Sequence, residues 1–181
     1  MKAKIFLQCM ISAIIFSCNK NTFDPQFSSI PNGDFEHWDN VSNLLKWQTN
    51  SCPVCVPPYE PYVVRKTTEA YHGQFAAEFI YNGVYRSYAK NKFAISVHPS
   101  TLNAYVKSNI TNADTVSIHI DLFLGTNVVD SGNWYETNTS GIYKKLGISI
   151  SQTNPKADSV LITIMGGKKQ NTTLFVDDLA F

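Results

Sequence analysis

The sequence predicts an all-β domain, an antiparallel sandwich or barrel of about nine strands. Three observations carry this reading. Apolar residues recur at every second position and nowhere at the 3.6-residue period of an amphipathic helix. Turn signals break the alternating runs at short intervals. The composition, 44% hydrophobic and only 16% charged, suits strands joined by polar loops.

The clearest run is 116–124, where Val116, Ile118, Ile120, Leu122 and Leu124 share one face, and Ser117, His119, Asp121 and Phe123 share the other. Leu146, Ile148 and Ile150 alternate with Gly147, Ser149 and Ser151, and Val160, Ile162 and Ile164 with Leu161, Thr163 and Met165. Further strands are expected at 62–67, 74–81, 84–89, 92–97, 102–108 and 173–181. Asn82-Gly83, His98-Pro99, Asn109 to Asp114, Asn154-Pro155 and Gly166-Gly167 supply turns between them. Strands with one mixed-polarity face imply a sheet that presents that face to solvent or ligand.

The 181 residues suit one domain and a leader. A formal net charge of +1 provides no field to attract nucleic acid or an anionic membrane surface. Residues 1–18 read as a secretion signal: Lys2 and Lys4 precede an apolar stretch from Ile5 to Phe16. The stretch ends in Ser17-Cys18, which resembles a bacterial lipobox and implies lipidation of Cys18. An ordinary cleaved signal with Cys18 incidental is the competing reading. Beyond it, no segment reaches the roughly 20 apolar residues that span a bilayer. Residues 19–27 are polar and aperiodic, a tether, and residues 28–181 form the domain.

Cys52 and Cys55 remain in the exported part. Outside the cytosol a local disulfide is the default. Free thiols and a metal site are the alternatives. Zinc needs about four ligands, and the four His residues are scattered. The prolines at 57, 58 and 61 forbid the helix that a thioredoxin-like pair would start.

The domain opens with Ile30-Pro31-Asn32-Gly33-Asp34-Phe35-Glu36-His37-Trp38, with Trp47 nine residues on, and closes with Leu174-Phe175-Val176-Asp177-Asp178-Leu179-Ala180-Phe181. Between them lies Tyr71-His72-Gly73-Gln74-Phe75-Ala76-Ala77. In order and spacing these three motifs resemble the galactose-binding-like jelly-roll superfamily, in particular carbohydrate-binding modules of families four, nine and twenty-two and proposed carbohydrate-metabolism lipoproteins of Bacteroidetes. The resemblance implies a jelly-roll with Trp38 and Trp47 in the core. It also implies a structural calcium joining the first strand to the last, with side-chain oxygens from Glu36 and Asp177 and backbone carbonyls from Asp34, Glu69 and His72. Carboxylates on an apolar terminal strand do need a cation or donors, and calcium takes six to eight oxygens. The alternative is that Glu36 and Asp177 accept backbone hydrogen bonds without metal.

Sugar recognition uses aromatic faces and planar polar side chains. Candidates are Trp134 and Tyr135 in a Gly-containing polar loop, Tyr85 and Tyr88, Tyr59 beside the Cys-Pro loop, and His119 and Asp121 on the polar face of a central strand. The bland reading places these aromatics at the core rim. No nucleophile elbow, phosphate loop or zinc-protease motif occurs, and nothing selects a pair of glycosidase carboxylates, so catalysis is not expected. The expectation is a non-catalytic envelope lipoprotein, periplasmic or surface-exposed, that binds an oligo- or polysaccharide. The alternative is a structural lipoprotein whose partner is another envelope protein.

Overall fold

The computed structural model describes residues 30–52, 62–153 and 156–181. Within them ten strands build two five-stranded antiparallel sheets. The first sheet holds, side by side, β1 (Gln48–Thr49), β4 (Tyr88–Ala94), β9 (Ser159–Met165), β6 (Val116–Leu124) and β7 (Asn127–Glu136). The second holds β2 (Val64–Thr67), β3 (Ala76–Ile80), β10 (Thr173–Ala180), β5 (Thr101–Asn109) and β8 (Lys144–Ser149). The leader, the tether, Cys18, Cys55 and Tyr59 lie outside the described residues. Cys52 is disulfide-bonded.

The core follows from the two-residue period. Ile118 pairs with Ile164, Ile120 with Ile162 and Leu122 with Val160 across β6 and β9, and all six are fully buried. Phe79, Leu102, Ala104, Leu174 and Val176 of the second sheet are equally buried in the same cluster. Each large aliphatic side chain removed from water contributes about 1.5–3 kcal/mol, so this row fixes the register.

Three sequence expectations change. Residues 84–89 and 92–97 do not form two strands. One strand, β4, runs through Lys90-Asn91-Lys92. Asn91, between the two expected strands, points inward and is buried because its Nδ2 donates to the Pro31 carbonyl at 2.9 Å. Short β1 follows Trp47 where no strand was expected. The supposed loop at 131–136 belongs to β7. Gly132 is no turn there: a Cβ on it would stand 2.6 Å from the Ser149 carbonyl oxygen and 3.0 Å from Ile148 Cγ2. The two sheets approach too closely at that point for a side chain.

This changes the status of Trp134. Adjacent residues of a strand point to opposite faces. Trp134, opposite Ile118, packs against the core, while Tyr135, opposite Ser117, points out. They cannot share one ligand surface.

The opening segment is tied to the last strand. Leu179 donates its N–H to the Gly33 carbonyl at 2.8 Å. Asn32 organises the turn: its Nδ2 donates to the carbonyls of His37 (2.9 Å) and Leu45 (2.8 Å), and its Oδ1 accepts from His37 N (3.0 Å). This leaves Phe35 at φ 54, an uncommon state for a bulky residue, held by complete burial against Trp47 with ring centroids 5.4 Å apart. Trp47 is buried and Trp38 packs on the core, as expected.

Carboxylates from both ends of the domain hold residues 71–75. Glu36 Oε1 accepts from Gln74 N at 2.8 Å and Phe75 N at 3.1 Å. Asp177 Oδ2 accepts from Tyr71 N at 2.7 Å and His72 N at 3.0 Å. Between them Gly73 has φ 66, and a Cβ there would lie 1.9 Å from Glu36 Oε1.

Two stability predictions follow from this packing. Trp134→Ala empties core volume and costs about 3 kcal/mol, whereas Tyr135→Ala costs under about 1 kcal/mol. Paired urea melts check the contrast, and equal losses would refute the facing of β7. Gly73→Ala strains a left-handed residue and displaces a carboxylate that accepts two amides, costing roughly 2–4 kcal/mol. A thermal midpoint within a degree of wild type would refute that grip.

Candidate functional site

The alternation that buries one face of the first sheet lays out the other in rows. One row runs Tyr135, Ser117, Met165, Tyr88; the next Asn133, His119, Thr163, Lys90, Gln48; the third Ser131, Asp121, Leu161, Lys92. Phe123 and Ser159 continue below. Strand spacing makes this face about 19 Å across, with rows about 7 Å apart, room for more than one sugar ring.

Ser117 is 6% and Thr163 9% exposed although both point away from the core, so larger neighbours on the face cover them, while Tyr135 at the edge is 65% exposed. Tyr88 and Tyr135 thus stand on either side of a strip that mixes Ser117, His119 and Thr163 with the apolar Met165 and Leu161. His119 is fixed between two neighbours: its Nε2 lies 2.8 Å from Asp121 Oδ1, and its Nδ1 contacts Asn133 Oδ1. Lys90 Nζ lies 5.1 Å from the Tyr88 ring centroid and Lys92 Nζ 4.5 Å from that of Phe123, cation–π distances. Arg86 anchors one end by donating from Nε to the Gly166 carbonyl (2.5 Å) and from Nη2 to the Thr115 carbonyl (3.1 Å). Burial pulls its guanidinium below the ordinary range, against the opposing influence of Asp114 and Tyr135.

Of the expected ligand residues, the fold brings Tyr88, Tyr135, His119 and Asp121 onto this one face. Tyr85 is 61% exposed in the loop entering β4, its amide held by Asn82 Oδ1 at 2.6 Å. Trp134 is on the opposite side. Sequence reasoning missed Lys90, Lys92, Asn133 and Thr163. For the lysines a signal existed in the alternation of Tyr88, Lys90 and Lys92 with Ala89, Asn91 and Phe93, concealed by splitting the strand.

Away from this face, a polar cavity of about 410 Å³ lies between Arg65, Tyr81, Asn82, Gln170 and Asn171, among others. None of the expected ligand residues that are among the described residues lines it. Arg65 in its wall is engaged by Glu78, with Nε 2.6 Å from Oε2.

The residues assigned to calcium by resemblance are partly committed to other partners. The Glu69 carbonyl accepts from the Tyr143 hydroxyl at 2.7 Å, the Glu69 carboxylate pairs with Lys107, and His72 Nδ1 lies 3.0 Å from Asp178 Oδ2. Asp34 Oδ1 meets Glu36 N at 3.5 Å. Among the described residues no three His, Cys, Asp or Glu side chains group to hold a metal. One observation does fit a hard cation: Asp177 Oδ1 is buried with no hydrogen-bond partner. Burial raises the Asp177 carboxyl, nearby Asp178 adds to this, and the amides of His72 and Tyr71 only partly oppose it. A cation here would rest on that oxygen together with backbone carbonyls, an oxygen set of the kind calcium takes.

Neither a family model nor a curated protein matches the sequence. In three dimensions the chain is similar to a proposed glycoside hydrolase from Bacteroides thetaiotaomicron, at 9% identity and a TM-score of 0.62, covering 87% of this chain and 71% of that one. It is similar to a cyclase from Fischerella sp. in complex with 4-(1H-indol-3-yl)butan-2-one, at 12% identity and a TM-score of 0.53, covering 84% and 96%. A family 61 carbohydrate-binding module in complex with β-1,4-galactotriose aligns at 12% identity and a TM-score of 0.49, covering 84% and 92%. The likeness to the first two is one of fold: the chain is a jelly-roll β-sandwich.

Proposed function

We propose that this is the domain of an exported, lipid-anchored bacterial envelope protein, that it binds an oligo- or polysaccharide on the outer face of the first sheet, and that it is not catalytic. The observation that carries the reading is the placement of Ser117, His119 and Thr163 on one outward face between Tyr88 and Tyr135. Aromatic faces stack on the apolar side of a sugar ring, and fixed polar groups select its hydroxyls. Because a fold hosts many functions, the site must carry the argument. Among the outward positions of these strands Asp121 is the single carboxylate, and His119 holds it. Glycoside hydrolysis uses two carboxylates about 5–10 Å apart, so this face is better suited to holding a glycan than to cleaving it. Export and anchoring rest on the leader and on Ser17-Cys18.

Affinity gels cast with soluble polysaccharides test the binding. Tyr135→Ala and Tyr88→Ala should each weaken retention about tenfold or more, as loss of one stacking platform does, with melting midpoints little changed. Wild-type protein that migrates unretarded through every polysaccharide removes the sugar reading and favours an envelope-protein partner.

We also propose a structural calcium at Asp177 Oδ1, supported by that oxygen's burial without a partner. A cation bound only by the native state raises its stability, by about 2.7 kcal/mol at a hundredfold excess over Kd. Melting in calcium should then exceed melting in chelator by several degrees, and Asp177→Asn should abolish the difference. An identical midpoint in both buffers removes the metal and leaves the backbone amides as the only partners of this carboxylate.

A further inference from the structure

The lysines of β4 give the outer face a charge preference that sugar binding in general does not require. Lys90 and Lys92 occupy consecutive outward positions, so their Cα atoms stand about 7 Å apart, close enough for both ammonium groups to reach one anion. Both residues are exposed. No ion pair among the described residues uses either ammonium. Each instead lies over a ring, Lys90 on Tyr88 and Lys92 on Phe123, in the rows that flank the pair on either side, so the two ammonium groups lean apart and must swing inward, giving up weak exposed cation–π contacts, to share an anion.

The acids near them are engaged elsewhere. Asp121 is two strands from Lys92, through Leu161, roughly 10 Å at ordinary strand spacing, and it is held by His119. Lys92 also influences Asp158 electrostatically. That carboxylate accepts from Gly125 N at 2.7 Å and Ser159 Oγ at 2.8 Å, and it makes no ion pair with the lysine. Two exposed like charges on neighbouring outward positions repel modestly, and an anion set between them replaces that repulsion with two charge-assisted hydrogen bonds.

Building on the glycan-binding reading, we infer that the ligand is an acidic glycan: a uronate carboxylate or sulfate ester seats between Lys90 and Lys92 while its sugar ring packs on Tyr88 or Phe123. The rest of the chain then crosses the face toward Tyr135.

The test uses the full chain in mild detergent on native gels containing polygalacturonate, chondroitin sulfate, neutral galactan or polyacrylate. Retention should be strongest on polygalacturonate or chondroitin sulfate, and loss of chondroitin retention on chemical desulfation assigns the site to the sulfate ester, its persistence to the uronate. The double variant Lys90→Gln/Lys92→Gln should lose that retention about tenfold or more, the scale of a charge-assisted contact, while its melting midpoint stays within a degree or two. Retention on galactan equal to that on the acidic gels overturns the acidic preference and leaves sugar binding standing. Equal retention on polyacrylate, which has no sugar rings, overturns it as plain ion exchange. Undiminished acidic retention in the double variant overturns the role of the lysines. Absence of retention on every gel removes the glycan reading itself.

Discussion

The register between β6 and β9 is the constraint on which the molecule depends. Ile118, Ile120 and Leu122 meet Ile164, Ile162 and Val160 inside the sandwich, and the same pairing obliges Ser117, His119, Asp121 and Phe123 to lie on the far side with Thr163 and Leu161. Shifting β6 by one residue would expose four buried aliphatic side chains, Val116, Ile118, Ile120 and Leu122, and bury a histidine and a carboxylate, a loss several times larger than any gain the outer face could return. The outer face is thus positioned by the core. Its residues are free to serve a ligand because they contribute little to holding the sheets together.

Where the chain does bury charge, it surrounds the charge with donors. Asp177 takes the amides of Tyr71 and His72, and Glu36 those of Gln74 and Phe75. Asp114 accepts from the amides of Lys168, Lys169 and Thr115 at 2.6–2.8 Å. Burial alone would push the Asp114 carboxyl up, yet these amides and the Thr172 hydroxyl outweigh it and the net shift is downward. Asp130 pairs with His98 at 2.9 Å and accepts from Ser151 and Thr153. Each of these acids joins segments far apart in sequence, so buried polar groups close the loops at the ends of a sandwich whose centre is apolar. Asp177 is the incomplete case, with one oxygen left over.

The fold was legible because strands that bury one face write their period directly into sequence. β6, β9 and β10 stand close to where alternation placed them. The errors share a physical cause: a residue whose local meaning differs from its tertiary one. Gly132 resembles a turn residue, but the approach of Ser149 and Ile148 requires it. Asn91 is a polar residue at an inward position of β4, and a single carbonyl, that of Pro31, lets it sit inside. Both demands come from neighbours remote in sequence, and no local pattern encodes them. The misreading of Gly132 carried Trp134 with it, since a tryptophan in a supposed polar loop looks like a ligand platform and one opposite Ile118 does not. Tyr88, Tyr135, His119 and Asp121 could each be named from sequence; that they share a face is a property of the strand order β4-β9-β6-β7, which sequence periodicity leaves open.

A binding surface made from strand faces has a consequence for affinity. The hydrogen-bond ladder fixes backbone positions in advance, so side chains such as His119, already held by Asp121 and Asn133, lose little freedom when a ligand arrives. One flank of each sugar ring on such a face stays in water, so the contact per ring is small. Such a face suits long polymers better than single sugars, because successive rings can occupy successive rows. Display of many copies on a membrane would extend the same principle: each further contact on one polymer becomes effectively intramolecular, and weak individual sites sum to durable capture.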